Sequence, residues 1–350
     1  MMQSHLQPRA ALGRYLSSMK SQSILFVLLL FLARSTRAAA DPAAELASFS
    51  VFDKIDINEL AKSDVKTIHG PPMGGRFLSV QSCYVASGSP EKQIEALKNW
   101  DPTKHRELKV LLHSDLPSSP TPANFSKLKD APNNGSVRTF VTATQKISDE
   151  LQISKEEAKK FSASEGGMAA IAAPWAEVLA ARTKSLLSGG TAAQAPYDHS
   201  GKSIRPNEEL NSLLKQQDKI RKQFSGFLSQ TGIGHGAGSL TPELYWELLD
   251  VDDQGVVTLG ASYHRAGGSY QAADVLYYAS GGYYVALTLY QMWPVTANEK
   301  ASTLVWRGDM ISAASLESLH GVERLGSESV MMKDISKAIT FFRRDTAGGR

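Results

Sequence analysis

Hydrophobic and polar positions follow two different periods along this chain. In "RFLSVQSCYVAS" (76–87) the period is close to two and the residues are β-formers, which predicts a strand. "RELKVLLH" (106–113) sets Leu108, Val110 and Leu112 against Glu107, Lys109 and His113, the pattern of a half-buried strand. "VRTFVTATQ" (137–145), "GVVTLGASYHR" (255–265) and "STLVWRGDM" (302–310) also read as strands. Elsewhere the period lengthens. "SPEKQIEALKNW" (89–100) offers Ser89 as N-cap, Pro90 at the first helical position, and Ile94 and Leu97 on one face. Residues 154–190 are Ala- and Lys-rich and helical, broken near Gly166-Gly167 and at Pro174. Residues 206–230 read as one amphipathic helix with Leu210, Leu213, Leu214, Ile220, Phe224, Phe227 and Leu228 along a stripe. "TPELYWELL" (241–249) looks helical too, with Thr241 as cap and Pro242 next. "SAASLESLHG" (312–321) predicts a short helix ending at Gly321, and "SESVMMKDISKAITFFRR" (327–344) a closing one.

Together these elements predict an α+β fold: a mostly antiparallel sheet with an α-hairpin insertion and a long C-terminal helix. The expected organisation is a leader at 1–40, the first part of the body at 41–150 and the helical insertion with its flexible connector at 151–235. C-terminal β-hairpins and the closing helix follow at 236–344, then a disordered tail at 345–350.

The stretch "DVLYYASGGYYVALTLYQMWPV" (274–295) holds two strand-like runs around Gly281-Gly282. A two-residue turn there would pair Leu276 with Leu287 and Tyr278 with Val285. One face would then carry Leu276, Tyr278, Val285, Leu287 and Leu289. The other would carry Val275, Tyr277, Ala279, Tyr284, Ala286, Thr288 and Tyr290. Tyrosines interleaved with small residues leave room beside apolar bodies with polar tips. Tyr277, Tyr284, Ala286, Thr288 and Tyr290, with Trp306, are therefore the candidate ligand-binding residues; packing against the helices and a partner surface are the competing uses of that face.

The first forty residues change the charge balance. Arg9, Arg14 and Lys20 precede the apolar run "ILFVLLLFLA" (24–33), and Ala38-Ala39-Ala40 offers a cleavage site before Asp41. This is the pattern of a secretory leader and is short for a membrane span. Its removal takes five of the 38 basic residues and none of the 35 acidic ones, leaving a net charge of −2. Such a near-neutral chain is not expected to recruit nucleic acid or anionic lipid by bulk charge. The single cysteine, Cys83, rules out an internal disulfide. In an exported chain that points to a bacterial periplasm. Cys83 lies in a strand-like run and is expected to be a buried thiol.

Several motifs lack their chemistry. "DVDDQGVVTLGA" (250–261) has the spacing of a calcium loop but Ala261 where the bidentate Glu belongs, so it reads as a turn. "GIGHGAGSL" and "HSGKS" lack the context of a phosphate loop. No G-x-S-x-G or H-E-x-x-H is present, and the histidines after the leader are scattered. Arg307 and Asp309 should share the face opposite Trp306 as an ion pair, and Glu323 and Arg324 lie near them in sequence. No catalytic residue, metal site or cofactor is assigned.

The run "FLSVQSCYVASGSPEKQIEAL", together with residues 283–342, resembles the START-like helix-grip arrangement, in which a curved antiparallel sheet wraps a C-terminal helix around a cavity. The resemblance implies binding of a lipid or other apolar ligand; the helical block at 154–230 departs from it. The function expected is thus non-catalytic binding of an apolar or amphipathic small molecule. The alternatives are an envelope hydrolase using His105, His113 or Asp309, and an assembly component using the α-hairpin as its contact surface.

Overall fold

Eight strands form one sheet in which every neighbouring pair is antiparallel. They are β1 (Lys66–His69), β2 (Phe77–Ser87), β3 (Val110–Leu116), β4 (Glu243–Val251), β5 (Gln254–Arg265), β6 (Tyr270–Ala279), β7 (Val285–Ala297) and β8 (Lys300–Ser312). Their order is β1-β2-β8-β7-β6-β5-β4-β3. A meander of five consecutive strands is therefore flanked by β1–β2 on one edge and β3 on the other. This computed structural model describes residues 41–62, 65–161, 166–267 and 270–347. The apolar run at 24–33 and the expected cleavage site lie outside the described residues.

Most helices cover one face of the sheet. These are α1 (Pro42–Phe49), α2 (Ile57–Lys62), α4 (Gly135–Lys146), α5 (Lys155–Ala158), α6 (Gly167–Gly189), α7 (Pro206–Gln216), α8 (Asp218–Gln223) and α9 (Ser225–Thr231), and all contribute to the larger core. Among the described residues the opposite face is met by α3 (Pro90–Asn99) over β6–β8, the long α10 (Gly321–Ala347) along β1–β2, and Leu316 of the turn before α10. The expected α+β class, antiparallel sheet and long C-terminal helix are all present. No helix among the described residues is long and apolar enough to cross a membrane.

Residues 137–145 were expected as a strand because they are β-branched. They form most of α4. Asn134 caps it by accepting from the Val137 amide at 2.9 Å, and Val137, Phe140 and Thr144 fall on one buried helical stripe. Packing against Trp175 of α6 outweighs intrinsic preference here. Residues 241–249 go the other way. The Thr-Pro-Glu start imitates a helix cap, yet Leu244, Trp246 and Leu248 alternate strictly with Tyr245, Glu247 and Leu249, and the segment is β4. Residues 206–230 are three short helices with their stripe buried, leaving no exposed apolar face. Within 106–113 the strand begins only at Val110, so His105 lies outside it. Gly321 starts α10 and does not end a helix, and α10 runs to Ala347, into the expected tail at 345–350, of which residues 348–350 lie outside the described residues.

The largest correction concerns the tyrosine-rich hairpin. Its connection spans residues 280–284, and Leu276 pairs with Ala286, one place away from the expected Leu287. In a pleated strand a one-residue slip moves every side chain to the other face. Val275 and Tyr277 therefore join Val285, Leu287 and Leu289 in the core under the helices. Ala286, Thr288 and Tyr290 face the other way. Cys83 is fully buried on the helical face, and burial pushes its thiol up to about 12. Asp252 and Asp253, both in the left-handed region, make the tight β4–β5 turn, and Asp250 pairs with Gly255 in the strands.

Candidate functional site

The two faces of the central strands differ in kind. Under the helices, Leu259, Ala261, Val275, Leu287, Leu289, Leu304 and Trp306 are all at 0 % exposure. On the opposite face, Tyr245, Glu247, Ser262, Asp274, Leu276, Ala286, Thr288, Arg307 and Ile311 are only half-buried. Antiparallel pairing aligns them in rows that cross the strands. One row is polar: Glu243 faces Ser262, Ser262 faces Asp274, Asp274 faces Thr288, and Thr288 faces Asp309. The next row is mostly apolar: Tyr245 faces Gly260, then Leu276, Ala286 and Ile311 follow.

Two carboxylates centre the polar row. Asp309 is held by Arg307, through Nε at 2.8 Å and Nη2 at 2.7 Å, and accepts from the Thr288 hydroxyl at 2.9 Å. Burial works against the Arg307 charge, and Asp309 beside it more than restores it. The guanidinium also lies over the Tyr290 ring at 5.5 Å. Asp274 differs, because its bonds come from neutral hydroxyls: Ser262 at 2.5 Å and Tyr245 at 2.7 Å. Burial raises its pKa above the ordinary carboxylate range despite those two bonds.

Gly260 makes the Tyr245 contact possible. A Cβ there would stand 2.0 Å from Tyr245 Cζ, so the ring crosses β5 only where no side chain exists. Gly260→Ala is expected to cost about 2–3 kcal/mol, as the ring is displaced and its bond to Asp274 lost. Chemical denaturation reads this. Adding Tyr245→Ala should make the two costs non-additive by more than about 1 kcal/mol, and simple additivity would contradict the packing argument.

Histidine–carboxylate pairs border this face, among them His264 with Glu243 at 3.7 Å. His113 lies 3.0 Å from Glu247 through Nδ1 and 3.4 Å from Asp115 through Nε2. His105 reaches Asp345 at 2.7 Å through Nε2, receives Arg344 on Nδ1 at 3.3 Å and stacks on Phe341. Asp345 also accepts from Trp100 at 3.0 Å. A cavity of about 310 Å³ opens where α3, the 101–105 turn and α10 meet, lined by Asn99, Trp100, Asp101, Lys104, His105 and Asp345. Lys98 of α3 ties this junction to Glu243, the end of the polar row, at 2.7 Å. Among the described residues no three His, Cys, Asp or Glu side chains converge as metal ligands.

The six sequence-derived ligand residues divide between the faces. Ala286, Thr288 and Tyr290 come together on the half-open face. Tyr277 is buried under the helices, where its hydroxyl donates to Thr183 at 3.2 Å. Trp306 is fully buried between Phe49 and Phe224. Tyr284 packs at the rim of the same side, with its ring near Tyr197 and under Arg76. Arg307 and Asp309 pair as expected, whereas Arg324 turns away to the carbonyls of Met73, Gly75 and Phe77. Asp274, Ser262 and Tyr245 were missed. For Asp274 the signal is a charged residue in the middle of a β-forming run, "YQAADVLYYA". No family model, curated protein or solved structure matches this chain.

Proposed function

We propose that the half-open sheet face binds an amphipathic small molecule without chemical conversion, in a protein exported by its N-terminal leader. The ligand's apolar part would lie over Leu276, Ala286 and Ile311, and its polar part along Ser262, Asp274, Thr288 and Asp309. The observation that carries this reading is the contrast between the two faces of the same strands. One is mostly apolar and sealed, with polar groups such as Gln271, Gln291 and the Tyr277 hydroxyl bonded internally, and the other keeps a polar row and an apolar row half-covered, side by side, in the middle of the sheet. Ligand sites combine apolar surface with a few convergent polar groups in this way. A hydrolase is less well supported, because both ring nitrogens of His105 and of His113 are already engaged.

The test is titration with the neutral fluorophore N-phenyl-1-naphthylamine. A saturable fluorescence rise at one site per chain is expected. A linear, unsaturable response would refute the binding reading.

A further inference from the structure

Resting on that reading, we infer that the polar end of the ligand is cationic, a protonated amine or quaternary ammonium seated on Asp274. The charges of this face are otherwise matched. Asp309 has Arg307, and Glu247 and Asp115 face His113. Asp274 alone is bonded only by hydroxyls, those of Ser262 and Tyr245. Arg307 acts on Asp274 from a distance but is bonded to Asp309, so the two carboxylates share one guanidinium, and a second cation arriving from solution would offset the remaining cost of burying the Asp274 charge. Burial disfavours the Asp274 charge by more than the two hydroxyls and Arg307 restore.

A second polar group on this face is left without a partner. Thr258 lies on the same face, directly across from Glu247 and two residues before Gly260 on β5. It is at 0 % exposure and its hydroxyl has no hydrogen-bond partner. Buried hydroxyls are rarely left so. Asp274 and Thr258 thus lie on either side of the row in which the Tyr245 ring covers Gly260 while Leu276 and Ala286 stay half-buried. The chemistry that fits is an alkyl or aryl body over that row with an ammonium at the Asp274 end.

Competition against bound N-phenyl-1-naphthylamine distinguishes the outcomes, using dodecylammonium, dodecanol and dodecanoate below their micelle concentrations. Dodecylammonium should displace the fluorophore at a concentration at least about tenfold lower than dodecanol, with dodecanoate weakest. Asp274→Asn should remove the preference for the cation, and the exposed-site control Glu107→Gln should keep it. Equal potency of dodecanol and dodecylammonium in the unaltered protein overturns the inference whatever the variant does, and leaves the binding reading standing. A preference that survives Asp274→Asn in a folded variant overturns the assignment to Asp274. Absence of fluorophore binding removes the binding reading and the inference together.

Discussion

Ala286→Trp is expected to weaken amphiphile binding by at least about 100-fold while leaving the protein folded. Ala286 stands between Leu276 and Ile311 in the apolar row, and all three are half-buried. An indole there lies on the floor that the ligand's apolar part would occupy. The neighbouring strands need not move, because the added volume projects above the sheet and away from the sealed core. Ala286→Ser, which changes little volume, should keep most of the affinity. Retained binding in the Trp variant would show that the fluorophore sits elsewhere.

Glu157→Gln should destabilise the protein by about 3–5 kcal/mol, the cost of stranding a buried charge. Arg182 has a side chain only 2 % exposed, inside the helical layer. Its Nη2 donates to Glu157 at 2.6 Å, its Nη1 donates to the Ala195 carbonyl at 3.0 Å, and its guanidinium lies 4.2 Å from the Tyr278 ring centre. Among the described residues Glu157 is the one anion bonded to it; Glu157 also caps α5 by accepting from the Ser154 amide at 2.7 Å. Removing the acid leaves the guanidinium unpaired. Removing the arginine leaves Glu157 its amide bond and some exposure. Glu157→Gln should therefore cost more than Arg182→Met, and more than the two changes together. Urea midpoints measure the order, and equal single-variant costs would contradict it.

The sheet and its helices were legible wherever one residue pattern had one reading. Residues 76–87, 89–100 and 302–310 are of this kind, with a clean period and ordinary caps. The failures had competing signals. In 137–145 β-branched residues sit on a helical stripe, and the Asn134 cap with burial against Trp175 decides the outcome. In 241–249 a Thr-Pro-Glu start suggests a helix, while the alternation of Leu244, Trp246 and Leu248 makes a strand.

The binding face was half legible for a sharper reason. Ala286, Thr288 and Tyr290 share a strand face in any register, because spacing along one strand fixes that. Which partners they meet depends on a single residue of hairpin register. A five-residue connection at 280–284 in place of a two-residue turn exchanged Tyr277 for Asp274 and Leu276. The rows across β4–β8 are a property of pairing, and spacing within one segment does not contain it.

The most direct measurement is native mass spectrometry of the protein purified from its source without detergent, before and after solvent extraction. The binding account predicts one amphiphile per chain, removed by extraction and absent from Ala286→Trp. A bare chain mass before extraction, or an adduct that persists in the folded Trp variant, would contradict it.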